Sequence, residues 1–158
     1  MEGIINEAKI QKACKILKGL LAKGVPVHGV GLQGHWSIDM PSTGSIIRSI
    51  DLFSSLGLEV QITELDLTVY SQLRLLFPSQ FPEYETFTDE MSLKQAERYY
   101  RLFAALRTRK DKLTGVIFWG LNDDTSWLRR FPDERNDWPL LFDGSYQPKK
   151  SFWAIVDF

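Results

Sequence analysis

Apolar positions recur every three or four residues between 8 and 23, where Ile10, Ala13, Cys14, Leu17, Leu20 and Leu21 share one side of a helix. Gly24 and Pro26 supply its stop. The pattern then changes to a branched, glycine-containing run from Val25 to Gln33, a predicted strand that ends in Gln33-Gly34-His35-Trp36. Pro41 marks a turn, and a second helix begins near Ser42 or Thr43 with Ile46, Ile47, Ile50, Phe53 and Leu56 as its apolar face. Gly57 ends it. Leu58 to Thr63 alternates in polarity and is rich in branched residues, so a short strand is expected there. Strict alternation puts Leu58, Val60, Ile62, Glu64 and Asp66 on one face, provided the extended conformation lasts that far.

Residues 70–91 hold two prolines, several aromatics and no sustained period, which reads as a long ordered loop with room for a short helical turn. Ser92 with Gln95 resembles a capping box, with Met91 as staple, opening a helix to about Thr108. Its expected face is Ala96, Tyr99, Tyr100, Phe103 and Leu106. A third strand covers Leu113 to Trp119, and a second long loop covers Gly120 to Gln147. Pro148 suits the first turn of a final helix containing Phe152, Trp153, Ile155 and Val156.

Three strands thus alternate with four helices, the rhythm of right-handed crossover units in a parallel sheet. Such a small sheet has two open edges and a limited core. A complete eight-stranded β/α barrel takes about 250 residues. The 158 residues therefore read better as the C-terminal portion of a barrel, spanning 1–158, than as a small layered domain. There is no internal repeat, low-complexity tract or linker.

Composition narrows the function classes. With 44% hydrophobic and 25% charged residues and a net charge of -1, the chain suits one soluble globular body and lacks a nucleic-acid footprint. No stretch resembles a transmembrane run or a signal peptide, although the latter means little if the start is internal to a larger product. Cys14 is the only cysteine, which excludes an intrachain disulfide and fits a small core residue. Four of the five tryptophans, Trp36, Trp119, Trp127 and Trp138, follow predicted strands, where flat apolar faces suit sugar rings.

The strand ends present Gln33 with His35, Glu64 with Asp66, and Trp119 with Asn122 and Asp123. Catalytic groups on barrels gather from different strands on this rim. Glu64 and Asp66 taken alone admit two readings, a reaction centre or acids that solubilise a strand end. His28, near the middle of its strand, reads as a satisfied structural histidine, and His35 as a rim residue. A metal site from His35, Glu64, Asp66 and Asp123 lacks an HExxH or cysteine spacing, so no metal and no cofactor are expected. Gly29-x-Gly31-x-x-Gly34 matches a dinucleotide pattern in letters only, because its first glycines lie inside the strand. Asp123-Asp124 with Ser126 lacks the remaining ligands of a calcium loop.

In order along the chain, Gly29-Val-Gly-Leu-Gln-Gly-His35, Ile62-Thr-Glu-Leu-Asp66, Phe118-Trp-Gly-Leu-Asn-Asp123 with Ser126-Trp127, and Pro139-Leu-Leu-Phe-Asp143 with Pro148-Lys149 and Phe152-Trp153 resemble the family 10 glycoside hydrolases. That family consists mainly of endo-β-1,4-xylanases on a TIM barrel. The resemblance implies that the strands are the sixth, seventh and eighth of such a barrel. It implies Glu64 as catalytic nucleophile, His35 as its hydrogen-bond partner and Asp66 as support for His35. Gln33 and His35 would line the sugar subsite at the cleavage point, and Trp119 and Trp127 would enclose the bound xylose ring. Retaining hydrolysis needs one ionised carboxylate and one protonated carboxyl about 5–5.5 Å apart. A donor such as His35 on Glu64 would favour the ionised form.

The chain also departs from the family. The acid/base glutamate belongs to an Asn-Glu-Pro-like motif at the fourth strand end, and no such segment is present. Asn6-Glu7-Ala8 is similar in letters, but Glu7 has no strand before it and is assigned to a helix start. The expected substrate is xylan or xylo-oligosaccharide, with an N-terminal barrel portion or self-association completing the cleft, and no membrane or nucleic-acid partner. The parent enzyme is expected to be secreted, periplasmic or on the cell surface. Two alternatives are a non-catalytic xylan-binding remnant and a small flavodoxin-like domain, the latter leaving the aromatic rim without a job.

Overall fold

The computed structural model describes residues 7–131 and 134–157, so Asn6 lies outside the described residues. The regular elements are α1 (Glu7–Ala22), β1 (Gly29–Leu32), β2 (His35–Ser37), α2 (Thr43–Ser54), β3 (Glu59–Thr68), α3 (Gln72–Leu76), α4 (Asp89–Arg107), β4 (Leu113–Phe118) and α5 (Lys150–Val156). The strands pair in parallel around β3. β1 and β2 are consecutive pieces of one interrupted strand along one flank of β3, and β4 lies along the other. The helices pack their apolar faces on this sheet: Cys14 of α1, Ile46, Ile50 and Phe53 of α2, Tyr99, Leu102 and Leu106 of α4, and Ile155 of α5 join Val60, Ile62, Leu65 and Leu67 of β3. The sheet stays open. β1 and β4 each have β3 as their one paired neighbour among the described residues, and Ile117 and Trp119 along the β4 edge are about half exposed. This is a partial β/α barrel.

A register shift in β3 decides which residues reach the rim. Leu32 pairs with Ile62 but His35 pairs with Asp66, so β3 carries one extra residue against its β1–β2 neighbour. The β4 side has the same excess, with Val116 opposite Ile62 and Phe118 opposite Leu65. Such a bulge reverses the alternation beyond it. Val60 and Ile62 face the helices before it, and Leu65 and Leu67 do so after it. The strict alternation expected from sequence is therefore corrected: Glu64 and Asp66 do not share a face with Val60 and Ile62. Without the extra residue, Leu65 and Leu67 would turn away from the core, each forfeiting about 1.5–3 kcal/mol of burial. Apolar demand on one side and the acids on the other both favour the bulge. Gly34 lies over it with φ of +92°, and a Cβ there would stand 2.9 Å from Ile62 Cγ2 and 3.3 Å from the Leu65 Cα.

Other expectations shift in detail. β3 continues to Thr68, so both acids lie inside a strand rather than past its end. The run from Val25 forms ladder pairs only from Gly29, and the segment beyond it re-enters the sheet as the separate strand β2. α4 starts at Asp89, where Thr88 accepts from the Met91 N–H, so Ser92 is not its cap. Gln95 is buried instead, donating from Nε2 to the carbonyls of Leu67 and Trp138. Tyr100 points to solvent and Leu102 takes its place on the buried face. Pro148 precedes α5 and bridges Phe142. His28 is exposed just before β1, rather than a satisfied residue in the middle of a strand.

The loops after β3 and β4 are fastened to each other. The Asp137 carboxylate accepts from the N–H groups of Val69 and Trp138 and from the Thr68 hydroxyl, closing the C-terminal end of β3. Tyr70 stacks on Tyr84 with ring centroids 4.8 Å apart, and Arg74 and Arg135 lie over the Tyr70 ring. Among the described residues no helix is long and apolar enough to cross a membrane.

Candidate active site

β2 and β3 place three ionisable side chains in a row. His35 opens β2, Glu64 lies within the bulge on β3, and Asp66 follows it. The Glu64 N–H donates to the Gln33 carbonyl at 2.7 Å, which holds the bulged residue against the break between β1 and β2. Nε2 of His35 is 3.0 Å from Glu64 Oε2, and Nδ1 is 3.0 Å from Asp66 Oδ2. Only the imidazolium can donate to both carboxylates at once. Burial by itself lowers the His35 pKa, but Asp66 and then Glu64 outweigh it and hold it above 6.5. Burial raises the Asp66 carboxyl, opposed by the hydrogen bonds from His35 and Trp127.

Exposure separates the two acids. The Glu64 side chain retains 24% of its accessible surface, whereas Asp66 retains 1%. Glu64 can meet a ligand and Asp66 cannot. Trp127 opens a 3-10 turn (Trp127–Arg129) that is capped by the Ser126 hydroxyl. Its ring centroid is 4.8 Å from that of His35, and its indole N–H donates to Asp66 Oδ2 at 2.7 Å. Trp119, at the end of β4, stands edge-on to His35 at 6.4 Å and is about half exposed. The Gln33 side chain is exposed at the same strand end.

Asn122 and Asp123 lie at the expected strand end but turn inward. Asn122 Oδ1 accepts from the Thr125 N–H, capping a 3-10 turn (Asp123–Thr125). Asp123 accepts from the Leu140 N–H and from Lys149 Nζ, at 2.8 and 2.9 Å. The Lys149 ammonium, the Asp137 carboxylate and the indole N–H bond of Trp127 are structural parts that sequence reasoning misses. The only hint is that polar residues flank the Pro-Leu-Leu-Phe run. Among the described residues no group of three or more His, Cys, Asp and Glu side chains is disposed to hold a metal ion.

The carboxylates make a testable mark on His35. Its folded pKa is raised, so the stabilisation from its pairing is complete below pH 6.5 and fades as pH climbs through the raised value. Imidazole resonances followed by NMR should therefore titrate above 6.5, and Asp66→Asn should bring the midpoint down. A midpoint unmoved by that substitution would show that Asp66 does not hold the charge.

Residues 3–158 match the model of "Glycosyl hydrolase family 10". The chain is 39% identical over 150 residues to an endo-1,4-beta-xylanase of Geobacillus stearothermophilus, covering 94% of this chain and 44% of that protein. It is 42% identical over 151 residues to a beta-1,4-xylanase of Dictyoglomus thermophilum, covering 95% of this chain and 42% of that one. The crystal structure of xylanase B from Clostridium stercorarium F9 superposes with a TM-score of 0.89 at 43% identity, over 97% of this chain and 44% of that one. The chain thus spans less than half the length of these relatives. Matched by that family's model from residue 3 to residue 158, the chain belongs to glycosyl hydrolase family 10.

Proposed function

We propose that this chain is the C-terminal portion of a retaining endo-1,4-β-xylanase, comprising strands six to eight of its barrel, with Glu64 as the nucleophile. The observation that carries the reading is the bridge of His35 between a partly exposed Glu64 and a buried Asp66, each 3.0 Å away. His35 keeps one Glu64 oxygen occupied, leaving the other to attack the anomeric carbon. Asp66 orients the imidazole. Trp119 and Trp127 offer apolar faces to a xylose ring, and Gln33 adds a polar contact beside them. Asp66 is unsuited to the general acid role, because it is enclosed and bonded to His35 and Trp127. That acid comes from outside the chain, about 5–5.5 Å from Glu64. The open flanks of β1 and β4 are where the remaining strands pair, and the isolated chain is inactive or nearly so.

A labelling experiment tests this. An activated 2-deoxy-2-fluoro-xylobioside carries a leaving group that departs without acid help, while the fluorine slows release of the covalent intermediate. Incubated with the chain and an N-terminal portion supplying the first five strands, it should add one fluoroxylobiosyl group to the peptide containing Glu64, read by mass spectrometry. Label on another carboxylate, or none in a mixture that hydrolyses xylan, would overturn the assignment.

A further inference from the structure

We infer that Trp127 is a positioning residue as well as a sugar-facing ring: its indole N–H, 2.7 Å from Asp66 Oδ2, fixes the carboxylate that holds His35 against Glu64. This rests on the proposed role of Glu64 only for its consequence in catalysis. The geometry of the hydrogen bonds stands by itself.

Asp66 is enclosed, and its Oδ1 has no hydrogen-bond partner among the described residues. Its negative charge therefore depends on the two donors that share Oδ2, His35 Nδ1–H and Trp127 Nε1–H, with the Arg135 guanidinium adding an attraction at longer range. A buried carboxylate with few donors favours the neutral acid. The indole differs from the imidazolium in keeping its N–H proton at every accessible pH, so it is the donor that stabilises the anion without competing for the charge. With it in place the mobile proton stays on His35. Without it the Asp66 carboxyl takes the proton, and the imidazole loses the charge that it presents to Glu64. The indole is itself braced by Phe131, stacked with ring centroids 5.4 Å apart. Its N–H is thereby aimed through a short, packed turn rather than a free side chain. Loop position and hydrogen-bond network are coupled.

The test replaces Trp127 by 3-benzothienylalanine in the full chain, exchanging N–H for sulfur while keeping the bicyclic shape. Trp127→Phe is the encoded counterpart. The His35 midpoint, read from imidazole ¹⁵N and ¹H shifts, should fall in both, because the proton that the imidazole holds passes to the Asp66 carboxyl once that anion has lost a donor. Should Trp127→Phe fail to fold, the isosteric analogue decides. A midpoint in the analogue that coincides with that of the native chain would overturn the inference, leaving Trp127 as a packing and sugar-facing residue. No hydrolysis enters this readout, so failure of the nucleophile assignment is recognised separately by the fluoroglycoside label. In the completed enzyme the analogue should lower kcat with little change in KM, because the ring that faces the sugar is retained.

Discussion

Glu64→Ala is expected to lower xylan hydrolysis by on the order of 10⁴-fold or more in any assembly that completes the cleft, since a nucleophile acts as a unit with its partners. Azide should then restore turnover of an aryl β-xylobioside. The small anion enters the space left by the carboxylate and attacks from the same face, giving an α-xylobiosyl azide by a single inversion. Loss of the acid/base group would instead leave the covalent intermediate intact and yield the β-azide. Configuration of the product therefore distinguishes the two roles, where a rate alone does not. The structure gives the substitution a clean background. Glu64 is partly exposed and lies outside the apolar core, so truncation takes a partner from His35 Nε2 but opens no cavity among the core residues. Hydrolysis that survives the change, or a β-configured azide, would remove Glu64 from the nucleophile position.

Asp66→Asn should behave differently. An amide at 66 still accepts a hydrogen bond but carries no charge to balance an imidazolium. The defect should lie in the protonation of the row, visible as the lowered His35 midpoint, while the vacancy that admits azide is absent. Comparing the two variants separates the group that reacts from the group that orients.

Much of the helix–strand order was readable from periodicity because the buried face of each helix repeats at regular spacing. Ile46, Ile50 and Phe53 occupy the core as their spacing predicts. The bulge was not readable. Alternation at 58, 60, 62, 64 and 66 looks unbroken in letters, and the extra residue is revealed only when Leu65 and Leu67 compete for the helix-facing side. Helix α4 misled for a similar reason. Ser92 and Gln95 have capping-box spacing, yet tertiary bonds from Gln95 to the Leu67 and Trp138 carbonyls place that glutamine inside the protein. The Glu64–His35–Asp66 row was suggested by residue type and resemblance. Nothing local signals that an indole 61 positions away completes it, since hydrogen bonds between distant loops leave no periodic trace.

Lys149→Met is expected to destabilise the chain by about 3–5 kcal/mol, as breaking one side of a buried ion pair does. The ammonium donates to Asp123 Oδ2 at 2.9 Å and to the carbonyls of Trp138 and Leu140 at 2.8 Å each. Methionine fills similar space but leaves all three acceptors without that donor. The penalty should depend on pH. Burial pushes the Asp123 carboxyl up to about 6 even though Lys149 pulls it down. A raised folded pKa means that the folded state holds this proton more tightly than the unfolded state, so its contribution to stability falls as pH rises through that window. Removing the cation raises the carboxyl further and extends the window upward. The gap between native and variant should thus be wide at pH 7.5 and narrower near pH 5, where a proton substitutes for the lost ammonium. Urea midpoints at the two pH values measure it, and adding Asp123→Asn should recover part of the loss by removing the stranded charge. Equal gaps at both pH values would show that the carbonyl bonds, rather than the ion pair, account for the penalty. The pair matters to the rim because Asp123 opens the loop that carries Trp127 while Lys149 anchors the return segment under it. Weakening it should therefore also loosen the indole from Asp66, and the His35 midpoint in Lys149→Met should drift in the same direction as in the Trp127 analogue.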